Sequence, residues 1–303
     1  MNYYPIIIFA YNRPELLKNC LISLKENKNI NKHKCYFFCD GPKNLSDKHN
    51  IENIKKILNQ IKINFKQVVF NKTNKGLASN IIKGVSKILK KNKAAIVVED
   101  DLILAKNAIK FINFFLNKKI NDKKIGSVSA YSYLHNTKFD FQFDCYYSKR
   151  HCSWAWGTWS DRWKQIKWDA EYINNHFKEK KKIKNFENVG LDLNLLLWAQ
   201  KKKIINSWAI RFNLNCFNNN LMSLQPRYSL VKNCGFGKNA THQKFKRNDK
   251  IKTFFKINQK FFRKKLIIKF EEEINEKIKN THRKSLRLLF HFWLNKFNVF
   301  RFF

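Results

Sequence analysis

Three observations predict an α/β fold for this 303-residue chain, with a mostly parallel sheet and helices on both faces. Short runs rich in Ile, Val and Phe alternate with stretches of helical periodicity. Most of these runs end in a turn or loop signal rich in Asn, Asp, Gly or Pro. The residues with chemistry in them, Arg13, Asp40 and Glu99 to Asp101, follow directly on the ends of runs. In an open parallel sheet one crevice at the carboxyl ends of the strands can hold all of them.

The first run, residues 5 to 10, is apolar and bounded by Pro5 and Asn12-Arg13-Pro14, which predicts a buried strand. A helix follows from Pro14, with Leu16, Leu17, Cys20, Leu21 and Leu24 at helical spacing and proline in the first turn, where its missing N–H costs nothing. Cys35 to Cys39 reads as a second strand ending in Asp40-Gly41-Pro42, and a helix is predicted over about 47–62. A strand at Gln67 to Phe70, a loop at Asn71 to Gly76, a helix over Leu77 to Leu89 and a strand at Ala94 to Val98 complete the alternation. The second half reads differently. It holds a Trp-rich run from Trp154 to Trp159, an apolar helix around Leu191 to Ala199 and a loop from Pro226 to His242. The expected organisation is a domain over 1–245 followed by a basic, aromatic helical appendage over 246–303, with an amphipathic helix from Lys284 to Phe300 carrying a stripe that includes Leu286, Leu289 and Trp293.

A composition of 44% hydrophobic and 15% aromatic residues excludes a disordered chain. The net charge of +39 points to an acidic partner, with a solvated lysine excess as the plainer reading. Positive charge is about twice as dense in residues 244–303, which carry 18 Lys and Arg against 5 Asp and Glu. Seven cysteines without a CxxC pair suggest neither a disulfide framework nor a cysteine-rich zinc site, so a reducing compartment is expected. No leader-like segment and no long uncharged apolar run is present, so a cytoplasmic protein is expected, with the basic helix as a route to the inner face of the membrane.

Three adjacent carboxylates where a buried strand emerges, Glu99-Asp100-Asp101, repel one another unless a cation is close. Mg²⁺ and Mn²⁺ suit such oxygen donors and often combine one or two carboxylates with substrate phosphates. A charged strand end or an acidic helix start is the competing reading.

The ordered set of Pro5 to Pro14, Cys39-Asp40-Gly41, Val97 to Leu102, the Trp154 run, Gly190-Leu191-Asp192, and Pro226-Arg227-Tyr228-Ser229 through to Ala240-Thr241-His242 resembles glycosyltransferases of the GT-A fold. The likeness is to bacterial sugar transferases similar to the N-acetylglucosaminyltransferase I group. It implies a Rossmann-like GT-A sheet and an inverting, metal-dependent transfer of a hexose or N-acetylhexosamine from a nucleotide-sugar, with UDP-sugar as the donor class, to a hydroxyl of a bacterial surface glycan such as lipopolysaccharide, lipooligosaccharide or capsule. Under it, Asp101 ligates Mn²⁺ or Mg²⁺, Glu99 and Asp100 contact the donor or metal-bound water, and Arg13 and Asp40 hold the nucleotide. Asn74 and Asn80 border the loop-to-helix segment facing the diphosphate, Asp192 is the catalytic base, Trp154 or Trp156 contacts sugar, and His242 lies on a loop that closes over the donor. Asn194 stands where the family usually has a second acid. A retaining GT-A transferase and a basic, aromatic nucleic-acid-binding protein are the alternatives. The second accounts for the charge but not for three adjacent acids.

Overall fold

The computed structural model describes residues 1–134, 137–235, 267–281 and 289. The first half alternates as predicted: β1 (Ile6–Ala10), α1 (Pro14–Lys25), β2 (Cys35–Cys39), α2 (Leu45–Gln60), β3 (Phe65–Phe70), α3 (Leu77–Leu89) and β4 (Ala94–Glu99). Then come β5 (Leu102–Leu104), α4 (Ala108–Lys118), β6 (Ile125–Ser129), β7 (Cys145–Ser148), β8 (Trp156–Trp159) and α5 (Ser160–Lys164). The remaining elements are α6 (Ala170–His176), α7 (Lys180–Glu187), α8 (Leu193–Lys201), α9 (Trp208–Asn218), β9 (Met222–Pro226), β10 (Val231–Asn233), β11 (Ile268–Lys269) and α10 (Glu272–Lys279).

Nine strands form one sheet in the order β11-β7-β9-β6-β8-β4-β1-β2-β3, and five of its eight pairings are parallel. This is the mostly parallel α/β sheet that the alternation predicts. Side chains of β1 divide by parity, as strand geometry requires. Ile6, Ile8 and Ala10 enter a core with α1, α2 and α4, while Ile7 and Phe9 enter another with α3 and α9. Both faces are therefore covered, which is why β1, β2 and β4 read as unbroken apolar runs. β3, at the sheet edge, alternates between exposed and half-buried residues instead.

The chain runs outward from β1 to β2 and β3, then returns to place β4 on the other side of β1. The strand order thus reverses between β1 and β4, the point where a crevice opens beyond the carboxyl ends of a parallel sheet. Local signals account for the boundaries. Asn44 caps α2, its side chain accepting from the Asp47 N–H at 2.9 Å, so the helix starts before residue 47.

The second half holds two features that the sequence reading did not include. The Trp-rich run contains β8, which lies antiparallel between β4 and β6 with all four residues buried. Within the expected appendage, β11 pairs with β7, and Ile274 and Ile278 of α10 join the main core. Most of the predicted helix from Lys284 to Phe300 lies outside the described residues; Leu289 of its stripe packs beside Leu195 and Ala199 of α8. Among the described residues no helix is long and apolar enough to cross a membrane.

Candidate active site

The end of β1 and the turn after β4 meet at the switch point. The Arg13 guanidinium bridges two of the three acids, donating to Asp100 from one nitrogen and to Asp101 from the other at 3.1 Å. Asp100 also accepts from the Tyr11 backbone N–H at 3.1 Å. Arg13, Asp100 and Asp101, named from the sequence, are thereby brought together with Glu99.

One guanidinium faces three carboxylates, so negative charge is in excess here. Burial raises the pKa of Glu99, and the charges of Asp101 and Asp100 raise it further. Burial also raises that of Asp100, with Arg13 opposing. For Arg13 burial acts to lower the pKa, but Asp100 and Asp101 outweigh it and the guanidinium stays charged. The site holds its acids together at an electrostatic cost, an arrangement that a cation relieves.

A two-stranded arm closes beside the acids. β5 follows Asp101 directly and pairs antiparallel with β10, and the Cys234 N–H donates to the Asp101 carbonyl at 2.8 Å. This lays Gly235 against the carboxylate, where an added Cβ would stand 2.1 Å from Asp101 Oδ2. Only glycine fits beside that oxygen.

Asp40 and the 71–76 loop form the neighbouring wall. Asp40 is buried, and its Oδ1 accepts from the N–H groups of Gly41 and Lys75, both at 2.9 Å, and from the Asn71 amide at 3.1 Å. Its Oδ2 accepts from the Gly76 N–H at 2.8 Å. The carboxylate predicted to hold a nucleotide thus sets the shape of the loop that leads into α3. Asn74 reinforces it, donating to the Gly41 carbonyl at 2.9 Å, and Asn80 accepts from Asn71 at 3.4 Å. Gly41 packs so closely on Thr73 that a Cβ would lie 2.3 Å from its carbonyl carbon.

Other expected residues are placed differently. Trp156 is 0% exposed, stacked on Trp208 at 4.9 Å among Trp163, Phe212 and His151, so it is core and has no face for a sugar. Trp154 is half-buried at the edge of Tyr131, with ring centroids 4.5 Å apart. Asp192 is buried, and its two oxygens accept from Arg150 at 2.6 and 3.0 Å. Arg150 also donates to the Tyr133 hydroxyl at 3.3 Å, and Tyr133 packs edge-on against Tyr131. A run of packed side chains therefore leads from Asp192 to Trp154. His242 lies outside the described residues.

Sequence reasoning missed two groups. Asp47, buried at the start of α2, accepts from the Tyr11 hydroxyl and from the Asn12 amide at 2.6 Å, fixing the segment that carries Arg13. Its signal was an acid in a first helical turn, which ordinarily means capping. Arg150 is the other; a pairing across 42 residues leaves no mark in local pattern.

Among the described residues no three His, Cys, Asp or Glu side chains converge as a ready-made metal cluster. The donor set still fits a hard divalent ion bound through one carboxylate and substrate oxygens, since Asp101 is the least enclosed of the Arg13-bridged acids, its side chain 13% exposed against 2% for Asp100.

No family model matches the chain, and no curated protein sequence matches it. Among solved structures, a crystal structure of GalNAc-T7 with UDP, GalNAc and Mn²⁺ aligns over 76% of this chain and 43% of its own, at 9% identity and a TM-score of 0.48. The chain spans less than half the length of that protein. The mannosyltransferase PcManGT from Pyrobaculum calidifontis, in complex with GDP-Man and Mn²⁺, aligns over 73% of this chain and 70% of its own, at 8% identity and a TM-score of 0.40.

Proposed function

We propose that the chain is a metal-dependent glycosyltransferase with a nucleotide-sugar donor, a UDP-sugar by preference. The observation carrying this reading is the acid cluster Glu99-Asp100-Asp101 at the strand-order reversal, served by a single guanidinium and walled by Gly235 and the Asp40-anchored loop. Asp101 would hold Mn²⁺ or Mg²⁺, which when bound offsets the charge of the departing nucleoside diphosphate. Arg13 keeps Asp100 in place, and Tyr11 and Asn12, tied to Asp47, set the position of Arg13. The 71–76 loop, with Lys72 and Lys75, borders the diphosphate. Trp154 offers the acceptor side an aromatic edge. The acceptor is a hydroxyl of a bacterial surface glycan, reached from the cytoplasmic side.

For an inverting displacement Asp192 is the base that takes the acceptor proton, and the Arg150 pair lowers its basicity. The Arg150 pair favours a second reading, a retaining transfer, in which no enzyme carboxylate need take that proton on the acceptor side. The anomeric configuration of the product, read by NMR, separates the two.

Thermal unfolding with UDP, GDP, CDP and CMP, each with and without Mn²⁺, tests the reading. A ligand bound only by the folded state, at a hundred times its Kd, stabilises by about 2.7 kcal/mol. Stabilisation by one nucleoside diphosphate that needs metal and is lost in Asp101→Ala supports the proposal. No shift with any nucleotide, alongside a shift with RNA or DNA, replaces it with the nucleic-acid reading.

A further inference from the structure

The edge of the sheet opposite the acid cluster carries a different kind of surface. Four loops enter β2, β3, β4 and β6 from that side: residues 26–34, 61–64, 90–93 and 119–124. Together they hold ten lysines against two acids, Glu26 and Asp122. The four segments that leave β1 to β4 at the other edge, 11–13, 40–44, 71–76 and 99–101, hold four basic and four acidic residues. A lysine excess spread evenly over the chain would not divide the two edges in this way.

Lys90, Lys91 and Lys93 are exposed and, among the described residues, form no ion pair. Beside them a cleft of about 360 Å³ is lined by Lys66, Lys87 and Lys91 with Tyr36 and Gln67. Tyr3, 37% exposed, stands at the margin with the Lys32 ammonium 5.4 Å from its ring centre.

We propose that this lysine edge docks the protein on an anionic lipid bilayer surface. Its cationic groups are all lysines, compact point charges suited to diffuse attraction, with no arginine forks for paired contacts to phosphodiesters. The four loops contain no Phe, Tyr or Trp on which bases of a single strand could stack. A tyrosine at the rim suits the headgroup level of a membrane. None of the residues that define this surface belongs to the segment 284–303, the expected amphipathic helix. Docked this way, the acid cluster faces away from the lipid by at least a strand length, roughly 17–20 Å. On the transferase reading, which the docking itself does not need, the acceptor is then the outer end of an already extended glycan rather than a sugar next to its lipid.

The test is sedimentation of the full chain with vesicles of phosphatidylcholine alone and of phosphatidylcholine with 30% phosphatidylglycerol, at low and high salt. Three charge-reversal variants are compared, each checked for an unchanged melting profile: K90E/K91E/K93E, K180E/K181E/K184E on α7, and R283E/K284E/R287E. The expected result is salt-sensitive binding to the anionic vesicles only, weakened at least tenfold in the first variant and within twofold of wild type in the other two. Equal losses in all three would mean diffuse charge, and a loss confined to the third would place the contact in the C-terminal stripe; either overturns the proposal. So does binding to neutral vesicles, absence of vesicle binding, or RNA competing the protein off at equal phosphate concentration. Because none of these variants substitutes a residue of the acid cluster, metal-dependent nucleotide stabilisation is read separately on the same proteins.

Discussion

The two edges of the central sheet are built from the same strands and differ in how their charges are held. At the carboxyl edge the charges nearest the switch point have fixed partners: Arg13 with Asp100 and Asp101, Asp40 with four donors, Asp47 with Tyr11 and Asn12. At the amino edge the lysines extend into solvent, and the pairs that form there, Lys119 with Asp122 and Lys123 with Asp161, are at or near the surface. Charges locked by short bonds keep one geometry for chemistry, whereas solvated charges create a long-range field that salt screens. The difference assigns specificity to one edge and attraction to the other.

The largest effect should come from the locked edge. Asp101→Asn is expected to lower sugar-nucleotide turnover by about a thousandfold or more, an order typical of removing an electrostatic stabiliser, while the melting temperature stays within a few degrees of wild type. Turnover assays with a soluble glycan acceptor measure this, and K90E/K91E/K93E should leave the same rate within twofold. A large loss in the lysine variant would break the division between the edges.

Next comes the buried pair behind the site. Asp192→Asn leaves Arg150 enclosed without its counter-charge, and such a break typically costs about 3–5 kcal/mol. Urea unfolding should show that loss, with Arg150→Met milder because the Asp192 carboxylate it leaves unpaired can take up a proton, whereas an unpaired guanidinium stays charged. A stability unchanged by Asp192→Asn would mean that the acid is free of Arg150 in solution and available as a base.

A smaller effect is expected at Gly41. Its replacement by alanine presses a methyl group into the Thr73 backbone, and overpacking of this kind costs on the order of 1–3 kcal/mol. Nucleotide affinity should fall with it, because the 71–76 loop moves, whereas vesicle binding should not change.

The smallest effect has the opposite sign. Glu99 has a folded pKa raised above its unfolded value, so between these values the folded state binds more protons and stability falls as pH rises. Glu99→Gln removes that penalty. In metal-free protein it should raise stability at pH 8 by on the order of 1 kcal/mol, with the gain shrinking toward pH 5. Thermal melts across that range measure it; a variant less stable than wild type at pH 8 would show that Glu99 is held by favourable contacts rather than strained by its neighbours.

Much of the first half was legible because burial on both faces leaves unbroken apolar runs, and α1 and α3 announce themselves through helical spacing. The acid cluster was equally visible, since three carboxylates after a buried strand have few structural uses. What could not be read was which aromatic residues face inward. Trp154 and Trp156 are two residues apart, yet one lies half-buried outside the strand and the other is sealed between α3, α9 and the sheet. The Arg150–Asp192 pair, the Asp47 anchor and the return of residues 268–279 to the sheet rest on contacts between distant segments, which no local period records. The role of Asp40 was half legible: its place just past the end of β2 could be read, but not that its oxygens are spent on backbone N–H groups of the loop it shapes.

The most direct measurement is Mn²⁺ binding followed by electron paramagnetic resonance, with and without UDP, in wild type and Asp101→Asn. If the acid cluster is a metal and diphosphate site, wild type takes up about one ion, more tightly when UDP is present, and the variant loses at least tenfold in affinity. Mn²⁺ binding that is equal in the two proteins and indifferent to UDP would contradict it.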